Sequence, residues 1–202
     1  MEDKPLGMYI NEAPPEPEPE PSRSAWVNFL LETIQTIVLA IALYFLIDSV
    51  VARVRVENIS MEPTLMPGEF ILVNKLAYRL GDYKYGDIIV FHYPPDPSVD
   101  YIKRVIGVPG DEVVIGNQQV AVNGYVLDEK FISQEPRYDG TWKVPPGYLF
   151  VLGDNRNQSS DSHDWGYVPF NNVVGKALVV YWPFSELKLL SRPTTVNAAN
   201  AP

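Results

Sequence analysis

Ser60 lies in Asn58-Ile59-Ser60-Met61-Glu62-Pro63-Thr64-Leu65, and Lys103 in Tyr101-Ile102-Lys103-Arg104-Val105-Ile106-Gly107-Val108-Pro109-Gly110-Asp111. A serine hydroxyl is a poor nucleophile at neutral pH unless a neighbouring base takes its proton. Read alone, Ser60 fits an ordinary Ser-x-x-Pro turn. For Lys103 to be that base, its pKa must fall by about 3 units from ~10.4, a cost of about 4 kcal/mol that desolvation can supply. On a strand, Lys103 shares a face with Tyr101 and Val105 while Arg104 points the opposite way. A lysine among apolar neighbours is expensive unless neutral or paired. On an edge strand the same lysine is simply solvated.

Two more stretches bear on the chemistry. Gly153-Asp154-Asn155-Arg156-Asn157-Gln158-Ser159-Ser160-Asp161-Ser162-His163 is dense in short polar side chains that hydrogen-bond nearby backbone. It reads as an ordered polar loop or as a plain solvated one. With Ser60, its His163 and either Asp154 or Asp161 also offer a Ser/His/Asp arrangement. Gly86-Asp87-Ile88-Ile89-Val90-Phe91 reads as a turn entering a core strand, with a packing role. There is no cysteine, which excludes disulfides and thiol catalysis. The two histidines, His92 and His163, are far apart in sequence and make a poor zinc set, and Arg156 and Gln158 break the alternation of an EF-hand loop. No metal and no cofactor are expected.

These residues need elements to hold them. The chain has 202 residues, 46% hydrophobic, with a net charge of −9. Residues 1–24 combine six prolines with an excess of acids and read as a disordered tail. Residues 25–51 contain the apolar run Trp26–Val50. About 20 residues at 1.5 Å each span a ~30 Å hydrocarbon core, so the segment reads as one transmembrane anchor, with a soluble core helix as the alternative. Ala40-Ile41-Ala42 resembles a cleavage site but lies inside the apolar run, behind a long acidic region, which favours an uncleaved anchor. Arg23 before the run and Arg53 and Arg55 after it put the C-terminal side in the cytoplasm by charge counting. The acidic balance leaves no basic stripe for nucleic acid.

After Arg53 the pattern becomes short β-like runs separated by turns. The expected strands are Val54–Ile59, Phe70–Asn74, Asp87–Tyr93, Tyr101–Val108, Glu112–Ile115, Gln119–Val122, Tyr148–Leu152 and Ala177–Trp182. Asn123-Gly124 suits the positive φ angles of a tight hairpin. The fold class is mainly β: an antiparallel β-sheet domain over residues 53–185 with a small β insertion at 112–146, preceded by one transmembrane helix. Residues 186–202 are expected to be a flexible tail.

In order, an anchor, Ser-Met-x-Pro-Thr-Leu, Gly-Asp-Ile-Ile-Val-Phe, Tyr-Ile-Lys-Arg-Val-Ile-Gly-x-Pro-Gly-Asp and Gly-Asp-Asn-Arg-x-x-Ser-x-Asp-Ser resemble type I signal peptidase (leader peptidase) as far as about Phe184. The ending Gly-Asp-Asn-Arg-Asn…Asp-Ser-His resembles the cyanobacterial and chloroplast thylakoid branch. The resemblance implies a membrane-bound serine endopeptidase that removes signal peptides from exported preproteins. It makes Ser60 the nucleophile, Lys103 the general base, and Ser159 the residue that orients the lysine amine. The Ser60 backbone N–H would donate to the oxyanion. Asn58 stands where many relatives place a serine that also serves the oxyanion, and its amide can donate too. His163 stands where many bacterial relatives carry arginine, which makes Arg104 a substitute partner for Asp161.

The implied partners are signal-peptide-bearing preproteins and the lipid bilayer, with the export translocon as a further candidate and no nucleic acid. The implied place is the plasma or thylakoid membrane, single-pass, with the catalytic domain on the trans (periplasmic or lumenal) side, against the charge count. Two rivals remain. An anchored, non-catalytic β-domain adaptor would require Ser60 and Lys103 to be far apart. A self-cleaving Ser/Lys repressor-type protease shares the pair, but the anchor and the lack of a DNA-binding helical region count against it.

Overall fold

The computed structural model describes residues 23–193, so nearly all of the expected N-terminal tail and residues 194–202 lie outside the described residues. The chain divides into two units, residues 1–45 and 46–202. Helix α1, Arg23–Val50, is 28 residues long, or about 42 Å. Within Ser24–Val50 the most apolar 18-residue window has a mean hydropathy of 2.1, and none of its residues is buried in the protein. The hydroxyls of Thr33 and Thr36 donate to the carbonyls of Phe29 and Glu32 one turn back. Their polarity is thus satisfied without solvent.

The second unit is built on strands β1 (Val51–Arg55), β2 (Phe70–Asn74), β3 (Ile88–Tyr93), β4 (Asp96–Gly107), β5 (Glu112–Gly116), β6 (Gln119–Val122), β7 (Tyr125–Val126), β8 (Gly140–Lys143), β9 (Tyr148–Leu152), β10 (Val168–Pro169), β11 (Val173–Trp182) and β12 (Lys188–Leu189). The larger sheet runs β1-β2-β11-β3-β4-β9-β10, with β12 added on β11. Every pairing is antiparallel. The pleat sends Ile88 and Val90 into one core cluster and Ile89 and Phe91 into another. Both faces of β3 are therefore covered, and each fully buried aliphatic or aromatic side chain contributes about 1.5–3 kcal/mol.

The smaller sheet, β7-β6-β5-β8, occupies the expected insertion. Its Val113, Ile115 and Val120 pack with Ile106, Phe150 and Leu152 of the larger sheet. Asn123 and Gly124 turn the hairpin with φ of 52° and 84°, as a type I′ turn requires.

Two expectations are corrected. The strand expected over Val54–Ile59 ends at Arg55, and Ile59–Met61 is a 3-10 turn. It turns because the chain must bring Met61 and Leu65, both fully buried, into the core. The described stretch 188–193, part of the expected flexible tail 186–202, instead pairs as β12 through Lys188 and Leu189. It is tied by Lys188 to Glu69 at 2.9 Å and by Arg192 to Asp87 at 2.6 Å. Burial of both carboxylates makes those pairings necessary.

One feature of the pairing shapes the site. β9 pairs β4 only over Arg104–Gly107. Among the described residues, Asp96–Lys103 of β4 therefore have β3 on one edge and no strand on the other. β1 is likewise an edge strand.

Candidate active site

Ser60 sits at the middle of the 3-10 turn, half-buried. The turn is pinned from the polar loop: the Asn155 N–H donates to the Ser60 carbonyl at 3.1 Å, and the Asn155 side-chain amide donates to the Ile59 carbonyl at 3.2 Å. Lys103 reaches it from the middle of β4. Its Nζ stands 2.6 Å from Ser60 Oγ, although the two are 43 residues apart in sequence. The lysine is only 3% exposed. Burial pushes its pKa down to about 8, against the opposing pull of the Asp161 and Asp154 carboxylates. With a pKa of about 8, about a tenth of such lysines is neutral at pH 7 and the share grows with pH, and a neutral amine 2.6 Å from a hydroxyl can take its proton.

Arg104, on the opposite face of β4, carries the framework. It grips Asp154 with two bonds, Nε to Oδ1 at 2.8 Å and one terminal nitrogen to Oδ2 at 2.6 Å. It also donates to the Gly86 carbonyl at 3.0 Å and lies 4.1 Å over the Phe131 ring. The Thr64 hydroxyl donates to the same Asp154 carboxylate. One buried cation therefore joins β4, the polar loop and the turn that follows Ser60. This corrects the expected pairing of Arg104 with Asp161: Asp154 sits on the Arg104 side of the sheet. Asp161 instead accepts from the Gly153 N–H at 2.9 Å and faces His163 Nδ1 at 2.6 Å.

Ser159 is buried, and its Oγ has no hydrogen-bond partner among the described residues. It lies against Gly153: a Cβ built there would fall 2.2 Å from Ser159 Oγ and 2.4 Å from the Ser60 carbonyl oxygen. Asn58 is exposed at the mouth of the turn and makes no side-chain cap to it. His163 has a carboxylate at each ring nitrogen, Asp161 at Nδ1 and Asp164 at Nε2. Asp161 and His163 are paired, but Ser60 Oγ bonds Lys103 and has no hydrogen bond to His163 among the described residues, so the Ser/His/Asp alternative lacks its nucleophile–base contact. The second histidine, His92, pairs with Asp100 on exposed parts of β3 and β4. Among the described residues no group of three or more metal-ligating acids or histidines forms.

Beside the pair runs a groove of about 520 Å³. Its walls are residues 54–61 on one side and the unpaired stretch 98–103 of β4 on the other, with Gln158 and Ser160 at one rim.

Thr64 and the buried pair of Arg156 with Glu129, whose guanidinium bonds both carboxylate oxygens at 2.6 and 2.7 Å, are not among the expected site residues, and Asp154 is expected only in the triad. The signal was present: an Asp-Asn-Arg run directly after the all-apolar strand Leu149–Leu152 brings charges to the edge of a core, where they must pair.

An antiparallel β domain here sets a serine hydroxyl against a buried, low-pKa amine beside an open groove, a pairing able to activate the hydroxyl as a nucleophile. The family model for signal peptidase, peptidase S26, matches residues 30–182, and the chain belongs to that family of serine endopeptidases. It is 41% identical to a signal peptidase I of Leptolyngbya laminosa over 89% of this chain and 93% of the relative. It is 42% identical to a signal peptidase I of Bacillus caldolyticus over 65% of this chain and 79% of that one. A crystal structure of a signal peptidase I from Enterococcus faecalis, 31% identical, superposes with a TM-score of 0.45 over 48% of this chain and 97% of that one.

Proposed function

We propose that this protein is a membrane-anchored endopeptidase that removes signal peptides from exported preproteins through a Ser60/Lys103 dyad. The observation that carries the proposal is the 2.6 Å approach of a buried, pKa-lowered Lys103 to Ser60. Neutral Lys103 takes the Ser60 proton as Oγ attacks the scissile carbonyl, and the tetrahedral oxyanion forms beside the Ser60 backbone N–H. The C–N bond then breaks, and the protonated lysine gives its proton to the leaving amine. Water, deprotonated by the same lysine, releases the new C-terminal carboxylate and regenerates the hydroxyl. An oxyanion donor is worth about 3–4 kcal/mol, and the Asn58 amide at the mouth of the turn is a second donor for it. Ser159, whose buried hydroxyl has no hydrogen-bond partner among the described residues, orients the lysine amine. The site needs no cofactor.

The unpaired edge of β4 and the edge strand β1 flank the groove, so an extended preprotein segment docks by adding backbone hydrogen bonds to them. Residues 25–51 cross the bilayer once, in the plasma or thylakoid membrane, with the peptidase domain of residues 53–185 on the trans side. Ser60 follows within one short strand and a turn, which keeps the site near the membrane where a preprotein's apolar segment emerges. The export translocon is a candidate partner. The adaptor reading loses its ground, since it required Ser60 and Lys103 to be apart.

The test is a cleavage time course in detergent on a preprotein with an Ala-x-Ala site, comparing the unaltered chain with Ser60→Ala and Lys103→Ala. Cleavage directly after the site by the unaltered chain only is the expected result. Equal cleavage by the Lys103 variant would remove the lysine as base, and no cleavage by any of the three would return the adaptor reading.

A further inference from the structure

Two carboxylates act on Lys103, and they differ in how they are balanced. Asp154 is held by Arg104 through two bonds in a fully buried pair and so has a permanent counter-charge. Asp161 has no arginine or lysine partner among the described residues. Its counter-group is the imidazole of His163, 2.6 Å away at Nδ1. The imidazole is built into the site: it stacks on Tyr138 at 3.8 Å and 9°, its side chain is 16% exposed, and its Nε2 faces Asp164 at 3.1 Å. The other oxygen of Asp161 accepts from the Gly153 N–H. Gly153 in turn packs directly against Ser159 Oγ and the Ser60 carbonyl oxygen. A continuous run of contacts therefore leads from the imidazole to the catalytic pair.

We propose that His163 is a positioning residue for the base, whose protonation decides whether Asp161 presents a bare or a neutralised carboxylate to Lys103. With the imidazolium in place, the Asp161–His163 pair is neutral, and its pull on the Lys103 proton is weakened. With neutral imidazole, the uncompensated carboxylate favours the ammonium form and withdraws the base. The two titrations oppose each other, so the rise of activity with pH is spread over a wider range than one group alone gives.

The surroundings are consistent. Burial pulls the His163 pKa down, but the hydrogen bond to Asp161 and the charges of Asp161 and Asp164 outweigh it and leave it above the ordinary value. Tyr138, on the stacking face, is held as a neutral phenol, its pKa raised by burial first and the Asp161 charge second. Beyond it, Arg156 and Glu129 cancel each other. The Ser60 hydroxyl stands 2.6 Å from Lys103 Nζ and the Tyr101 ring 5.1 Å from it.

The proposal rests on the reading of Lys103 as the base, and two measurements separate its failure from that one. The first is kcat/KM against pH on an Ala-x-Ala peptide for the unaltered chain, His163→Arg and His163→Gln. Arginine keeps a cation opposite Asp161 at every pH and moves the low-pH limb to lower pH. Glutamine keeps none and moves it to higher pH, each by roughly 0.5–1 unit for a charge several ångströms away. The second is the titration of the His163 ring protons by NMR in detergent, with His92→Gln assigning the other histidine. In Lys103→Met the His163 pKa rises, because a competing cation has been removed; this readout needs no activity. Coincident limbs in three active proteins, or a His163 titration unmoved by Lys103→Met, would overturn the coupling. An unaltered chain that cleaves nothing would overturn the dyad reading and this proposal with it.

Discussion

Arg104 and Asp154 form a bidentate ion pair in which neither side chain is more than 2% exposed. The pair holds the strand that carries Lys103 to the loop that carries Ser159, and through Thr64 to the turn that carries Ser60. Taking one charge from such a pair leaves the other buried without a partner, which costs about 3–5 kcal/mol. Asp154→Ala is therefore expected to lower stability by that amount and to abolish cleavage. Thr64→Val removes two hydrogen bonds, one donated to Asp154 and one accepted from Arg104, and should cost about 1–3 kcal/mol. Chemical unfolding in detergent measures both. An Asp154 variant of unchanged midpoint would show that the ion pair does not hold the site together.

The pH dependence follows from the base. Lys103 must be neutral to accept the Ser60 proton, and burial has pushed its pKa down to about 8. Since the neutral form grows as pH rises, kcat/KM is expected to climb through about pH 8 and level off above it. A profile already flat from pH 6 would show that a different group is the base. An extended substrate that covers the groove removes more water from the amine, so the limb in kcat should lie below the limb in kcat/KM.

Much of this arrangement was legible in the sequence, and the reasons differ by element. The strands Phe70–Asn74, Gln119–Val122 and Tyr148–Leu152 are found with the expected bounds, because each is a compact apolar run closed by turn residues. Gly140–Lys143 was missed: Gly-Thr-Trp-Lys carries one large apolar residue, and its pairing with β5 alone makes it a strand. The two faces of β4 followed from alternation, so Lys103 and Arg104 were correctly set on opposite sides. Which carboxylate meets Arg104 did not follow, because Asp154 and Asp161 lie in one loop whose path is fixed only by packing. The burial of Ser159 beneath Gly153 was equally hidden, since nothing in the composition of a polar loop says which hydroxyl faces inward.

Gly153 tests that packing. A methyl group there would fall 2.2 Å from Ser159 Oγ and 2.4 Å from the Ser60 carbonyl oxygen. The serine side chain can rotate, but the carbonyl belongs to a turn held by Asn155. Gly153→Ala must therefore displace the nucleophile turn. Reacting groups moved by about 1 Å lose about 100-fold in rate, so kcat should fall by that order while KM for an Ala-x-Ala peptide changes little. An alanine variant with unaltered kcat would show that the turn has slack.

Keeping Lys103 in its place has a stability cost, and the cost has a definite pH signature. Below pH 8 the lysine is protonated in both folded and unfolded chains, and the folded state bears the full penalty of burying it. The fall from 10.5 to about 8 corresponds to about 3 kcal/mol. Between about pH 8 and 10.5 the unfolded chain binds the proton that the folded one has released, so stability rises with pH. Above that window both forms are neutral and the penalty vanishes. Lys103→Met keeps the length and apolar character of the side chain without the charge. It is expected to be inactive yet more stable than the unaltered chain at pH 7, by up to about 3 kcal/mol, with the advantage fading as pH passes from 8 to 10.5. Unfolding of the full chain in detergent, followed by the fluorescence of Trp142, Trp165 and Trp182, gives both midpoints across that range. A methionine variant less stable at pH 7, or an advantage that does not fade in alkali, would mean that the amine is not destabilised by its burial and so is not tuned as a base.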